Sequence, residues 1–334
     1  MSASDQQFKG QFKWSICGHE RNQDFLQASI QRDQVAHAYL CWGPSHVGKQ
    51  NTARTFAQTV LCEDASVRPC GTCGGCRQFL NGNHPDVYVI ERQEDAKGNL
   101  KSELSIDQIR DLVSSLNQRS LLNGYKIALI PEAERLTIGA ANALLKLLEE
   151  PAPRTVLILG APHPEAIVAT LSSRCVLLNF LPVPAATIER YLETSTSSPA
   201  ARQWARHAVG RPGHGLNFIH SEDAQRDHEQ HVTQLLSLLG RTQGERLQQS
   251  AAWATEAHEV GQMLNSWEIV VRDALLVRSE LATRITHSDR ATEITQLAQE
   301  VEPVNALARI DQGRIELQHH VSGRAVIENI LIHL

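Results

Sequence analysis

The sequence predicts an α/β P-loop core with a parallel sheet, a small helical lid and an all-α C-terminal domain. Three observations carry that reading. The apolar run "HAYLCW" (37–42) feeds straight into the glycine turn "GPSHVGKQ" (43–50). Up to about residue 182, β-rich runs alternate with helical patterns, as a parallel sheet with crossover helices requires. Beyond that point the period-two pattern stops and amphipathic helices dominate. The expected boundaries are 1–182 for the core, with a cysteine module at 62–76, then 183–222 for the lid and 223–334 for the C-terminal domain.

The elements follow in order. "HAYLCW" is a short buried strand, and the helix after the glycine turn places Ala53, Phe56, Ala57 and Val60 on one face. "DVYVIE" (86–91) is the second strand. Ser105 with Gln108 three residues on starts a capped helix whose stripe is Ile106, Ile109, Leu112, Val113 and Leu116. "YKIALIPE" (125–132) is the third strand, and Pro151 stops the helix "AANALLKLLEE" after it. "TVLILGA" (155–161) is the fourth. "ETSTSSPAA" (193–201) reads as a loop between short helices, and "GRPGHG" as a turn. Later helices are expected in "HVTQLLSLLG", "VGQMLNSWEIVVRDALLVRSEL", "ATEITQLAQEV" and "AVIENILIHL".

Composition bounds the function. Hydrophobic residues are 42% and charged residues 21%, an ordinary globular balance. No run approaches the ~18 apolar residues of a membrane span, and the first residues lack a secretory apolar region. A cytoplasmic protein with no membrane partner is expected. A net charge of -5 argues against a chain that grips nucleic acid alone, because phosphate neutralisation needs clustered Lys and Arg.

Cys62, Cys70, Cys73 and Cys76 have the spacing C-x7-C-x2-C-x2-C. In a cytosolic chain such spacing points to metal rather than disulfides. Four thiolates suit tetrahedral zinc with no open position, so the zinc would be structural. Gly71, Gly74 and Gly75 would relax the turns. Reduced thiols in a plain loop and an iron–sulfur cluster are the alternatives.

"GPSHVGKQ" departs from the phosphate loop G-x-x-x-x-G-K-[ST] at its end. Gly43, Gly48 and Lys49 are in place, but Gln50 stands where a hydroxyl would hold Mg²⁺. The strand that should end in a metal-binding acid ends in Pro131-Glu132, leaving Glu132 able only to position a water. Losing both metal contacts removes most of the charge neutralisation that phosphoryl transfer needs. Whether Lys49 still holds a nucleotide stays open, and a chance glycine turn is the plain alternative.

In order, "HAYL", "GPSHVGK", the four cysteines, "NHPDVYVI", "SIDQIRDL", "YKIALIPEAERLT", "AANALLKLLEEP", "TVLILGAP" and "SSRC" resemble the bacterial clamp-loader AAA+ family. Within it they are most similar to the delta-prime branch. The likeness runs from about residue 16 to 182, is weaker over 183–220, and beyond that rests on length and helical character. It implies four departures from the family's motors: Gln50, Pro131, Gly160-Ala161-Pro162 at the first sensor, and Gly213 at the second, with Arg211 nearby. It also implies that Arg174 of "SSRC" is an arginine finger reaching a neighbour's ATP, a role suited to a permanently charged guanidinium fork. A local ion pair is the plain alternative for Arg174. Cys175 reads as packed rather than reactive, and His37 as a buried hydrogen-bonding histidine.

The resemblance implies a non-hydrolysing subunit of DNA polymerase III, with no catalysis by the isolated chain. Its partners would be gamma/tau and delta subunits in a hetero-pentamer joined by a C-terminal collar, with the sliding clamp and primed DNA met through the assembly. Two rivals remain: an ATP-hydrolysing motor of gamma/tau type, and a stand-alone zinc-dependent nucleic-acid-binding module.

Overall fold

The structure is a computed structural model, and it describes residues 8–333 except 96, 97, 99, 123, 197–199, 254, 255, 319 and 320. The chain divides into two compact units. One runs to Tyr191 and takes in Gly210–Gly213, and the other comprises Leu192–Val209 and the chain from His214 onward. The stretch 183–222 is therefore shared between them.

The first unit is an α/β layer structure. Its elements are β1 (Gln11–Phe12), α1 (Glu20–Gln31), β2 (Ala38–Trp42), α2 (Lys49–Leu61), β3 (Val67–Arg68), α3 (Gly74–Leu80), β4 (Val87–Val89), α4 (Ile106–Asn117), β5 (Lys126–Ile130), α5 (Ile138–Glu149), β6 (Thr155–Ala161), α6 (Ala169–Ser172) and β7 (Val176–Asn179). Five strands form one parallel sheet in the order β4-β5-β6-β2-β7. β2 and its glycine turn thus lie next to the centre of the sheet. Strand alternation divides the side chains between two faces. Ala38 and Leu40 join Leu112, Leu116 and Leu144 from α4 and α5, whereas Tyr39 and Cys41 join Leu26 and Phe56 from α1 and α2. Each fully buried Leu or Phe contributes roughly 1.5–3 kcal/mol.

The expected P-loop core is present, with two differences. The sheet has a fifth strand, β7, beyond the four expected. It is short and sits at an edge with Leu177 exposed, and its apolar run at 176–178 is too brief to mark a strand by itself. A separate two-stranded parallel pair, β1 with β3, also goes unsignalled, since two residues carry no period. The predicted capping box is formed: Ser105 Oγ accepts from Gln108 N while the Gln108 side chain accepts from Ser105 N.

The helices α7 (Ala185–Thr196) and α9 (Pro212–His220) carry the chain across the unit boundaries, with α8 (Ala201–His207) between them. The expected loop at 193–201 falls partly outside the described residues, and its first four residues belong to α7. The second unit then holds α10 (Glu222–Leu236), α11 (Gln243–Ser250), α12 (Ala257–Arg278), α13 (Ala291–Glu300), α14 (Pro303–Gln318) and α15 (Gly323–Ile332). The last unit has the all-α character expected from 223 onward. Its core is centred on Trp267 of α12, which is fully buried and donates Nε1–H to the His231 carbonyl at 3.1 Å. Among the described residues no helix is long and apolar enough to cross a membrane.

Candidate functional site

The glycine turn lies where β2 ends, at the carboxyl edge of the sheet, where open α/β sheets place their ligands. Gly43 has φ +148°, and a Cβ there would stand 2.1 Å from the Phe180 carbonyl oxygen. Gly48, with φ +118°, precedes the first residue of α2. The backbone of a phosphate loop is thus present, with Gly43 required by the Phe180 carbonyl and Gly48 favoured by its positive φ.

The side chains differ from that backbone. Lys49 Nζ donates to the carbonyls of Gly43 and Pro44, the latter at 3.0 Å, so the ammonium is engaged by its own loop. Burial lowers its pKa, Glu134 opposes that, and Arg211 adds a like charge. Gln50 is exposed on α2. Gly213 N donates to the His46 carbonyl at 2.9 Å, and a Cβ on Gly213 would approach that oxygen to 3.0 Å. Gly160 on β6 is fixed by crowding too, since a Cβ would lie 2.4 Å from the Pro131 carbonyl oxygen.

Glu132 does not face the loop as an idle acid. It accepts from Arg92 Nε at 2.7 Å. The carboxylate coupled to Lys49 is instead Glu134, in the 3₁₀ turn Ala133–Arg135. Its Oε2 is buried without a hydrogen-bond partner, and burial raises its pKa. Sequence reasoning missed Glu134, although its place on the turn just after β5 was a signal for it.

The four cysteines converge. One sulfur from each lies within 4.8 Å of the others, with Cys70–Cys76 at 4.0 Å and Cys62–Cys73 at 3.9 Å. Thiolates around a zinc at about 2.3 Å stand roughly 3.8 Å apart, so the set fits a tetrahedral ion. Backbone N–H groups already aim at the sulfurs: Cys70 N at Cys62 Sγ (3.4 Å), Thr72 N and Cys73 N at Cys70 Sγ (3.4 and 3.3 Å), and Cys76 N at Cys73 Sγ (3.4 Å). The N–H groups of Thr72 and then Cys73 lower the Cys70 pKa to about 6. Burial raises those of Cys62 and Cys76. Of the three glycines in the module, Gly71 has φ +76°, and Gly75 would place a Cβ 2.5 Å from the Leu61 carbonyl. Gly74 has neither constraint, which corrects the expectation for that position.

Arg174 lies on the turn between α6 and β7. Its Nη2 donates to Glu149 Oε1 at 2.9 Å and its Nη1 to the Thr170 carbonyl at 3.0 Å. The two side chains are 38% and 54% exposed, so the pair is worth about 0–1 kcal/mol and opens cheaply. Cys175 donates Sγ–H to the Leu171 carbonyl at 3.3 Å, and burial pushes its pKa up to about 12. It is packed, as expected. His37 is not the hydrogen-bonded histidine expected, at least at Nε2, which is buried with no partner.

Comparison with known proteins gives these features a family. The family model described as "DNA polymerase III, delta subunit" matches residues 18–184, half of the chain, and the chain belongs to that family. It is 40% identical over 171 residues to DNA polymerase III subunit delta′ of Pseudomonas aeruginosa, covering 51% of each chain. It is 34% identical over 203 residues to subunit delta′ of Escherichia coli K12, covering 60% of this chain and 59% of that one. Subunit tau of Bacillus subtilis is 36% identical over 174 residues, 52% of this chain and 30% of tau. In these alignments the chain spans little more than half the length of the delta′ relatives it matches.

Proposed function

We propose, from that family membership, that the chain is a delta-prime-type subunit of a bacterial DNA polymerase III clamp loader. It hydrolyses no ATP itself and presents Arg174 in trans to the nucleotide of a gamma/tau neighbour. The observation that carries the reading is the contrast within the loop. The glycine backbone is intact, yet Gln50 is exposed at the hydroxyl position and Pro131 replaces the metal-side acid. Arg174, on an exposed turn and held, among the described residues, by Glu149 and a carbonyl, can release and turn outward.

In this account Cys62, Cys70, Cys73 and Cys76 hold a structural zinc that clips the end of α2 to α3. Residues 1–182 act as the core and 183–222 as the lid, and 223–334 form the collar of a hetero-pentamer with gamma/tau and delta. The assembly would load the sliding clamp onto primed DNA in the cytoplasm. The delta′ and tau relatives support membership of such a complex. The intact Gly43, Gly48 and Lys49 leave a second reading, a residual nucleotide site within the same loop.

The test is Arg174→Ala in a reconstituted loader. ATP turnover should fall several-fold with assembly unchanged, and Arg174→Lys should not restore it, because an ammonium cannot fork onto phosphate oxygens. An assembled loader with unaltered turnover contradicts the finger role.

A further inference from the structure

The helical unit contains a second cluster of metal-ligating side chains, unrelated to the cysteines. His207 of α8, His228 of α10 and His287, just before the 3₁₀ turn Ser288–Arg290, each bring a ring nitrogen within 4.8 Å of the others. All three are buried, at 7%, 2% and 2% exposure.

The hydrogen bonds around them decide which nitrogens face inward. His287 Nδ1 is 2.9 Å from Asp273 Oδ2, and a carboxylate only accepts, so Nδ1 carries a proton and, in the neutral ring, Nε2 keeps its lone pair. Asp273 is itself fixed by the N–H groups of Thr286 and His287, each at 2.9 Å. His207 Nδ1 is 3.0 Å from the Gln203 carbonyl, another pure acceptor, so its Nε2 is also unprotonated. His228 Nδ1 is 3.0 Å from Ser266 Oγ, whose own proton has the Gln262 carbonyl to go to at 3.4 Å. When Ser266 Oγ gives its proton to the Gln262 carbonyl or to His231 Nδ1 and accepts from His228 Nδ1, the Nε2 atoms of His228 and His287 turn two lone pairs on each other at 3.1 Å. A cation between them resolves the repulsion.

We infer that His207, His228 and His287 form a three-histidine site for a divalent transition ion, zinc foremost. Imidazole nitrogens around tetrahedral zinc, bound at about 2.0–2.1 Å, stand roughly 3.3 Å apart. The His228–His287 pair already has that spacing, and His207 has to close by about 1.5 Å at most. Asp273 and Ser266 supply the outer hydrogen bonds that orient metal-bound histidines. Trp204 and Phe218 pack on the rings as an apolar shell, with centroids 5.0 Å from His207 and 5.2 Å from His228. Burial lowers the pKa of His207 and takes that of His228 down to about 3, which favours the neutral form that binds metal. A cavity of about 80 Å³ lined by His214, Asp227, His228 and His231 reaches one of the three ligands, His228. Three ligands leave the fourth position to water, and the ion would clip α8, α10 and the segment after α12 into one unit.

The test is Co²⁺ titration of the metal-stripped full chain, read by stoichiometry and absorption. Wild type should bind two equivalents, one with thiolate charge-transfer bands and one without. His287→Gln should lose only the second, and Asp273→Asn should weaken it roughly 10–100-fold. A folded wild-type chain that binds a single, thiolate-type equivalent overturns the site. So does a second equivalent that survives both His287→Gln and His228→Gln. If the histidine variants fail to fold, the wild-type stoichiometry decides alone.

Discussion

The glycine turn at 43–50 and the cysteine module at 62–76 sit at opposite ends of α2, and each began as a motif with a known chemistry. They differ in what survives. In the cysteine module four sulfurs, their spacing and the N–H groups aimed at them all suit a tetrahedral ion. In the glycine turn only the backbone agrees: the two glycines are sterically necessary, while the side chains that would handle magnesium are missing. A motif's backbone can outlive its side chains, because Gly43 is also held by packing and Gly48 by its positive φ, and the side chains are not.

That contrast can be broken most severely at the module. Cys76→Ser should abolish metal binding and lower stability by several kcal/mol, checked by metal analysis and thermal denaturation. Zinc contributes on the order of 10 kcal/mol in small zinc peptides, and the larger core here blunts that figure. An unchanged melting temperature would mean that the module is an ordinary loop.

Next in size is the turn's own backbone. Gly43→Ala should cost about 1–3 kcal/mol, since its methyl group meets the Phe180 carbonyl, whereas Gln50→Ser on the exposed face of α2 should stay within about 0.5 kcal/mol. Urea unfolding of both variants measures the gap. Equal costs would remove the case for a loop kept by packing.

Smaller still is Glu134→Gln. Burial holds the Glu134 carboxyl above its ordinary pKa, so its ionised form destabilises the fold, and stability is lost as pH rises past the unfolded value. The substitution should add up to about 1 kcal/mol at pH 7 and nothing near pH 3, well below the unfolded value, where the group is neutral in both states. Melting temperatures at the two pH values check it. At the module, zinc added to the metal-free chain at pH 7 should release fewer than four protons, because Cys70 titrates near 6. Four protons by calorimetry in two buffers would contradict that assignment.

Much of the first unit was legible in the sequence because its signals are local. "HAYLCW" before glycine, the Ser105–Gln108 box and the proline after α5 each fix an element within a few residues. What escaped depends on distant neighbours. β7 is a strand because it pairs with β2, not because "VLLN" has a period. Glu134 matters because folding buries it near Lys49, and Glu132, the more obvious acid, is taken by Arg92, forty positions upstream. The three histidines of the helical unit span 80 residues with no spacing rule, so only the fold collects them.

The most direct measurement is Mg²⁺-dependent ATP hydrolysis by the purified, zinc-loaded chain on its own. The account predicts no turnover above background, whether or not nucleotide binds at Lys49. Turnover that Lys49→Ala abolishes would contradict it and make the chain a motor.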